Sequence, residues 1–413
     1  MPPKAELFLS IDIEPGNPLS SQEINEKILN GISEDALHGK KVLILCEDNT
    51  RATPIHIFFP EFLNRLQASD AASVSILFAV GTHRSMTEEE MLKKLGLTEE
   101  QAKEANISLT NHNASDETNL IEIGEIGGQQ FKINRAVEAA DMIISLNNVV
   151  PHTIFGFSGG AKMIHPGISD KASIGCSHSQ RNSYPDTDIE GQIDNPMRAL
   201  LDEVTGLVQQ KYPDKSFICV SPVTTPDGIV EVYTGSFSDS YRQAAELSRS
   251  IYVQEIDAQP NMLLAYVDPN KSDFWQAAQA VYNCAGVIQD GGTIIISGEF
   301  ADGFSPIHGK TIIHYGGYAT PEVIETNVQK LRAKEEPVDD TVVSHMKRVG
   351  AYLKRGIRII ISSNKISPET CQQAGLDYLD PNQLGQISPD LIVHHATDIL
   401  LQLKVPTVQI QQE

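Results

Sequence analysis

The sequence predicts a two-domain α/β protein, each domain a mostly parallel sheet flanked by helices, with the active site in the cleft between the domains. Three observations carry that expectation. Short apolar, β-branched runs alternate with amphipathic helical stretches from end to end, the pattern of strands joined by covering crossovers. The 413 residues exceed what one hydrophobic core usually organises. The most polar, chemistry-bearing segments follow directly after strand-like runs, where open parallel sheets place their ligands.

Taken in chain order, strands are expected over Lys41–Cys46, Val74–Val80, Met142–Ser145, Phe217–Val220, Met262–Val267, Thr293–Ser297 and Ile357–Ser362, all short runs rich in branched apolar residues. Helices are expected over Ile55–Leu66, Glu88–Leu95, Asn195–Gln209, Asp239–Ser248, Asp273–Ile288, Pro321–Ala333 and Thr341–Lys354. Thr87-Glu88-Glu89-Glu90 has the form of a capping box and starts a helix directly after the loop Gly81–Met86. A polar stretch over Gln254–Asn261 with Pro260 marks a boundary. It gives a cofactor-binding domain over residues 1–256 and a domain over 257–403 that closes the substrate cleft. The last strand-like run, Val405–Ile410, returns to the first domain, which residues 404–413 would complete, or finishes the second.

Composition narrows the function. A formal net charge of −22 without a basic stripe excludes extended binding to nucleic acid. No apolar run reaches the roughly 18 residues that span a bilayer, so no membrane partner is expected. The N-terminal MPPKAELFLSIDIEPG reads as mature sequence, because its short apolar stretch holds an acidic residue and no cleavage site. Five scattered cysteines with no C-x-x-C pair fit a reducing, cytoplasmic compartment and no thiolate zinc site.

Three strand ends are unusually polar. The first runs Glu47-Asp48-Asn49-Thr50-Arg51, the second Gly81-Thr82-His83-Arg84, and the third Asn147-Asn148 to His152, followed by Gly156-Phe157-Ser158-Gly159-Gly160-Ala161-Lys162. If these strands are neighbours, two histidines, two arginines, an aspartate and a lysine meet, a set suited to acid–base chemistry on a carboxylate. Each piece also has a plainer explanation. Asp48 and Arg51 can simply fix a turn, Gly159 and Gly160 can serve only a tight bend, and the glycine loop lacks P-loop spacing. His165, Cys176 and His178 do not make a metal site by spacing alone. A metal-free hydrolase or lyase on a carboxylate or phosphate substrate, and a non-catalytic nucleotide-binding protein, remain open at this point.

These residues, from Asp48-Asn49-Thr50-Arg51 through Gly81–Arg84 to Pro151–Ser179, resemble the lactate racemase family of nickel-dependent enzymes. The resemblance implies a racemase or epimerase of a 2-hydroxyacid, with reversible hydride transfer to a covalently tethered nickel-pincer nucleotide. It further implies that His83 and His152 are the acid–base pair, that Lys162 carries the cofactor covalently, and that His178 binds nickel. Asp48, Arg51, Gly159 and Gly160 would line the cofactor, with Arg51 also reaching substrate. The expected partners are a small 2-hydroxyacid and, transiently, cofactor-biosynthesis enzymes.

Other positions depart from the family pattern. Trp275 stands where the family has Tyr, Gln276 keeps its Gln, and Gln279 replaces Lys, although these three are the expected substrate residues. Ala161 replaces an Arg, Asp302-Gly303 keeps part of a D-G-x-G-G segment, and His345 falls loosely where a Trp is found. With a cation lost at Gln279, lactate is not the expected substrate. Outside the resemblance, Trp275 reads as a packing residue, and His345 as a solvated or interface residue on a helix. His394 and His395, on a further helix, should point in different directions.

Overall fold

The computed structural model describes residues 9–51, 53–181, 183–184 and 189–404. Lys41–Cys46 sends Val42, Ile44 and Cys46 into one apolar cluster with Phe59, Phe62 and Ile76. Leu43 and Leu45 enter a second cluster with Phe131, Phe155 and Leu201. That alternation is the period of a strand, and burial on both faces is what crossover connections require.

The first sheet has six strands in the order Gly228–Gly235, Ser216–Thr225, Met142–Leu146, Lys41–Cys46, Ser73–Phe78, Ser108–Asn111. Neighbours are parallel except for Ser216–Thr225 with Gly228–Gly235. From Lys41–Cys46 the chain moves outward through Ser73–Phe78 and Ser108–Asn111, then returns to the other side at Met142–Leu146. The strand order reverses there, which opens a crevice beyond the carboxyl ends of Lys41–Cys46 and Met142–Leu146. The second sheet is parallel throughout, in the order Leu9–Ile11, Leu391–Val393, Met262–Tyr266, Thr293–Ser297, Arg358–Ser362, Asp377–Tyr378.

The chain forms two compact units. One comprises Glu14–Ile251 with Asp339–Ser344, and the other, among the described residues, holds 9–13, Tyr252–Val338 and 345–404. The opening strand Leu9–Ile11 thus pairs within the sheet of the second unit, against Leu391–Val393. The run Val405–Ile410 lies outside the described residues.

Helix starts follow their local chemistry. Thr87 Oγ1 accepts the Glu90 N–H at 3.2 Å, while the Glu90 carboxylate accepts the Thr87 N–H at 2.8 Å, closing the expected capping box. The single helix expected over Asp273–Ile288 is broken into Phe274–Ala277 and Gln279–Ala285. His394 and His395 are not helical, contrary to expectation. They follow the strand Leu391–Val393, and His395 adopts a left-handed φ of 49°.

His395 sits beyond the middle of three adjacent parallel strands and meets acids that follow both neighbours. Its Nδ1 lies 2.7 Å from Asp268 and its Nε2 3.5 Å from Asp12. The Asp268 hydrogen bond outweighs partial burial, and with Asp12 and Asp398 nearby it raises the imidazole pKa. A raised folded pKa contributes stability that is full below the unfolded value of about 6.5 and is lost as pH rises through the folded value. His395→Gln should therefore speed amide exchange in Leu9–Ile11 at pH 6 and change it little at pH 9. Equal effects at both pH values would show that the charge plays no part.

Candidate active site

The first-unit site is assembled at the reversal point of the first sheet. Glu47 and Asp48 leave the end of Lys41–Cys46, and Asn147 and Asn148 leave Met142–Leu146. Glu47 joins the two ends by accepting the Asn148 N–H at 2.8 Å. Lys94, from the helix Glu88–Leu95, supports this loop from below. Its Nζ donates to the Arg51 carbonyl at 2.7 Å and lies 3.3 Å from both the Glu47 carboxylate and the Thr53 carbonyl. Both charged side chains are buried.

Asp48 is buried and aims one carboxylate oxygen at His83 Nδ1, 2.7 Å away. Its other oxygen accepts the Thr50 N–H at 3.0 Å and the Thr50 hydroxyl at 2.5 Å. Burial alone would raise its pKa, but His83, Thr50 and Arg51 outweigh burial and hold the carboxyl well below its usual range. A carboxylate accepts, so His83 Nδ1 carries a proton toward Asp48, and Nε2 is the nitrogen not engaged by it. Arg51 Nη1 folds back on the Thr50 carbonyl and hydroxyl at 3.3 Å each. Arg84, expected in the same cleft, grips Glu90 bidentately at 2.8 and 2.6 Å, at the start of the helix Glu88–Leu95.

The third strand end folds around Phe155, which the sequence does not single out and which is fully buried. His152 stacks on the Phe155 ring at 5.6 Å, His178 meets it edge-on at 6.2 Å, and Lys162 Nζ lies 6.0 Å from its centroid. His152 Nδ1 accepts the Ile154 N–H at 3.2 Å, which leaves the proton of the neutral ring on Nε2. Burial, followed by Lys162, Arg51 and His178, pushes its pKa well down. His178 lies on the helix Lys171–Arg181, and its Nδ1 is 2.8 Å from the Ile174 carbonyl. A carbonyl only accepts, so Nδ1 is protonated and Nε2 has its lone pair available. Burial pushes this imidazole down to about 4, against the pull of that carbonyl.

The glycine loop is held from inside. Gly160 donates its N–H to Asn147 Oδ1 at 2.8 Å, and the Gly159 carbonyl accepts from Arg198 at 3.1 Å. Both glycines have positive φ, 77° and 60°. A Cβ on Gly159 would lie 2.5 Å from Asn147 Oδ1, and one on Gly160 would lie 2.8 Å from Tyr241 Cβ. Their backbone groups thus shape the turn that presents Lys162, on the 3-10 segment Gly160–Met163.

The structure therefore brings Asp48, Arg51, His83, His152, Lys162 and His178 together in the first unit, along with Gly159 and Gly160. Trp275, Gln276 and Gln279 lie in the second unit. Trp275 is half-buried between two imidazoles, with ring centroids 3.8 Å from His345 and 4.0 Å from His308. Gln276 Oε1 is buried without a hydrogen-bond partner, and Gln279 donates to Asn283 at 2.8 Å. Among the described residues, no group of three or more His, Cys, Asp or Glu side chains is arranged to hold a metal. No described helix is long and apolar enough to cross a membrane.

The profile of the lactate racemase N-terminal domain matches residues 15–188, the stretch that holds all six clustered side chains. The chain is similar to the lactate racemases. The lactate racemase of Thermoanaerobacterium thermosaccharolyticum is 28% identical over 279 residues, 65% of this chain and 62% of that one. The lactate racemase of Lactiplantibacillus plantarum is 36% identical over 171 residues, 40% of this chain and 39% of that one. The matched segments thus span less than two thirds of these relatives' own lengths. The fold is shared more widely. A crystal structure of a Thermotoga maritima protein superposes with a TM-score of 0.81 at 24% identity, covering 94% of this chain and 99% of that one. The T. thermosaccharolyticum lactate racemase apoprotein superposes with a TM-score of 0.77 at 21% identity, covering 96% of this chain and 94% of that one.

Proposed function

We propose that this chain is a racemase or epimerase of a 2-hydroxyacid that works with a nickel-pincer nucleotide. Its supports are the similarity to lactate racemases and, above all, the division of tautomers among three clustered histidines. His178 anchors Nδ1–H and leaves an Nε2 lone pair, His83 gives Nδ1–H to Asp48 and as the neutral ring would offer the same, whereas His152 is anchored at Nδ1 and leaves an Nε2–H. One lone pair suits proton removal, one suits a metal, and the N–H suits an oxygen that gains negative charge. A carrier that merely held a nucleotide would not need a buried Asp48 to orient His83.

The donor set fits the proposed group. Side chains alone do not cage a metal among the described residues, so a metal bound by His178 must bring its other ligands with it, as a pincer nucleotide does. The depressed pKa of His178 keeps its ring neutral at pH 7, as metal binding requires. Lys162 would hold the nucleotide covalently, with Gly159 and Gly160 setting the turn that presents it. When bound, the nucleotide supplies a hydride-accepting carbon, chemistry that no side chain offers.

The residues of the chain do the rest. His83 Nε2 takes the hydroxyl proton of one enantiomer, and Asp48 stabilises the resulting imidazolium. His152 would serve the opposite enantiomer from the other face, which requires its proton to move from Nε2 to Nδ1 and the Ile154 N–H contact to be given up. Arg51 would take the substrate carboxylate or a cofactor phosphate. Protein produced together with the cofactor-biosynthesis enzymes should convert a pure 2-hydroxyacid enantiomer to a mixture. Trp275 and Gln279 predict that a larger or more polar acid outperforms lactate. If lactate gives the highest kcat/KM in a panel of single enantiomers, that substrate inference is wrong. If no 2-hydroxyacid is racemised by nickel-loaded protein, the proposed activity is wrong.

A further inference from the structure

The helix Pro196–Lys211 begins where it can act on the glycine loop. Asn195 caps it by accepting the Arg198 N–H at 2.9 Å, and Pro196 takes the first helical position. Arg198 therefore lies in the first turn, and it is only 3% exposed. Its Nη2 donates to the Phe157 carbonyl at 2.6 Å and its Nη1 to the Gly159 carbonyl at 3.1 Å, while Asn195 Nδ2 donates to the Phe155 carbonyl at 3.3 Å. Three alternate carbonyls of one loop are thus held by two side chains from one helix start. Arg198 Cζ lies 3.7 Å from the centroid of the Tyr241 ring, and Tyr241 Cβ is the atom that a Cβ on Gly160 would meet at 2.8 Å. Two carbonyls and an aromatic face fix the guanidinium.

That fixation comes at a cost. Among the described residues Arg198 forms no ion pair with a carboxylate, and its Nε is buried without a hydrogen-bond partner. A buried cation without a counter-charge destabilises a fold unless other contacts offset its desolvation, and an apolar side chain can fill similar space without that penalty. What the guanidinium adds is geometry. A planar fork reaches two carbonyls at once while lying on a ring, which the single ammonium of a lysine does not reproduce. The link to Lys162 is direct, because the Gly159 carbonyl that Arg198 holds also accepts the Lys162 N–H at 3.3 Å.

We infer that Arg198 is a positioning residue for Lys162, fixing through the Phe157 and Gly159 carbonyls the loop that presents the amine. The inference rests on the proposed reading of Lys162 as the point of cofactor attachment.

Protein made alongside the cofactor-biosynthesis enzymes is compared for Arg198→Lys, Arg198→Met and Val204→Ala. The last opens a cavity at a fully buried position of the same helix and leaves Arg198 in place. One readout is the fraction of chains with a mass adduct on the Lys162 peptide, and the other is deuterium uptake over residues 156–163 in the apoprotein. Both Arg198 variants should lose the adduct by roughly tenfold or more and speed uptake by roughly tenfold, the scale of one lost hydrogen bond to a charged group. Uptake over Lys41–Cys46 should stay unchanged, and Val204→Ala should keep both the adduct and a slow loop. Arg198→Lys matching the unsubstituted protein in both readouts, or Val204→Ala losing as much as the Arg198 variants, would overturn the inference. A fast loop in the Arg198 variants with Lys162 unmodified in every protein would leave the positioning role standing and sink the cofactor reading. An adduct of normal yield in every variant would do the reverse.

Discussion

His83→Ala should slow racemisation by roughly 10²–10⁴-fold, the range for loss of a general acid–base group, while cofactor adduct and nickel content stay unchanged. The expectation follows from the 2.7 Å contact between Asp48 and His83 Nδ1, which leaves Nε2 for the proposed role of base. Asp48→Asn should come close to that loss, because an amide neither stabilises the imidazolium nor enforces the tautomer. His152→Ala should also stall racemisation, for a different reason. If each histidine serves one face of C2, the two variants should differ in a single turnover from pure enantiomers. After an acid quench, His83→Ala should yield the 2-keto acid from one enantiomer and His152→Ala from the other. Either variant racemising within about threefold of the unsubstituted protein would leave one histidine serving both faces.

The second large effect concerns the support beneath that site. Lys94 and Glu47 are 3.3 Å apart with side chains only 7% and 6% exposed. Lys94→Met strands a buried carboxylate, which typically costs about 3–5 kcal/mol. The urea midpoint of the first unit should fall accordingly. Glu47→Gln added to Lys94→Met should recover much of the loss, because a neutral carboxamide can still accept the Asn148 N–H now held by Glu47 at 2.8 Å. A change below about 1 kcal/mol in the single variant would mean that water reaches Glu47 when Lys94 is gone.

Most of what builds the sheets is local and was legible in the chain. The apolar runs that form Lys41–Cys46 and Thr293–Ser297 match their strands residue for residue, and the Thr87 capping box forms at its expected place. The helix that carries His178 was hidden, because Lys-Ala-Ser-Ile-Gly-Cys-Ser-His-Ser contains a glycine and several serines, poor helix formers whose cost tertiary packing offsets. The hairpin of Leu120–Ile126 with Gln129–Asn134 was also missed, since Gly124 interrupts its alternation and its register shifts there. The pairing of Leu9–Ile11 with Leu391–Val393 is long-range, and no local pattern announces it.

The site divides in the same way. Residue types and order pointed to Asp48, His83, His152, Lys162 and His178, but not to the atoms that orient them. Nothing in the sequence distinguishes an imidazole anchored to Asp48 from one anchored to the Ile154 N–H or the Ile174 carbonyl, because these depend on loop geometry. Phe155 reads as an ordinary apolar residue, yet His152, His178 and Lys162 gather around its ring. Arg84 reads as a ligand-binding cation, yet Glu90 engages it.

The proposed activity depends most on a cofactor tethered at Lys162 with its nickel on His178. Intact-mass spectrometry with nickel quantification, on protein made alongside the cofactor-biosynthesis enzymes, tests that directly. The expected result is a mass adduct on the peptide containing Lys162, with roughly one nickel per chain. Lys162→Ala should lose the adduct, and His178→Ala should lose most of the nickel while remaining folded by circular dichroism. An unmodified mass without nickel, or a Lys162→Ala variant that keeps nickel and full activity, would contradict it.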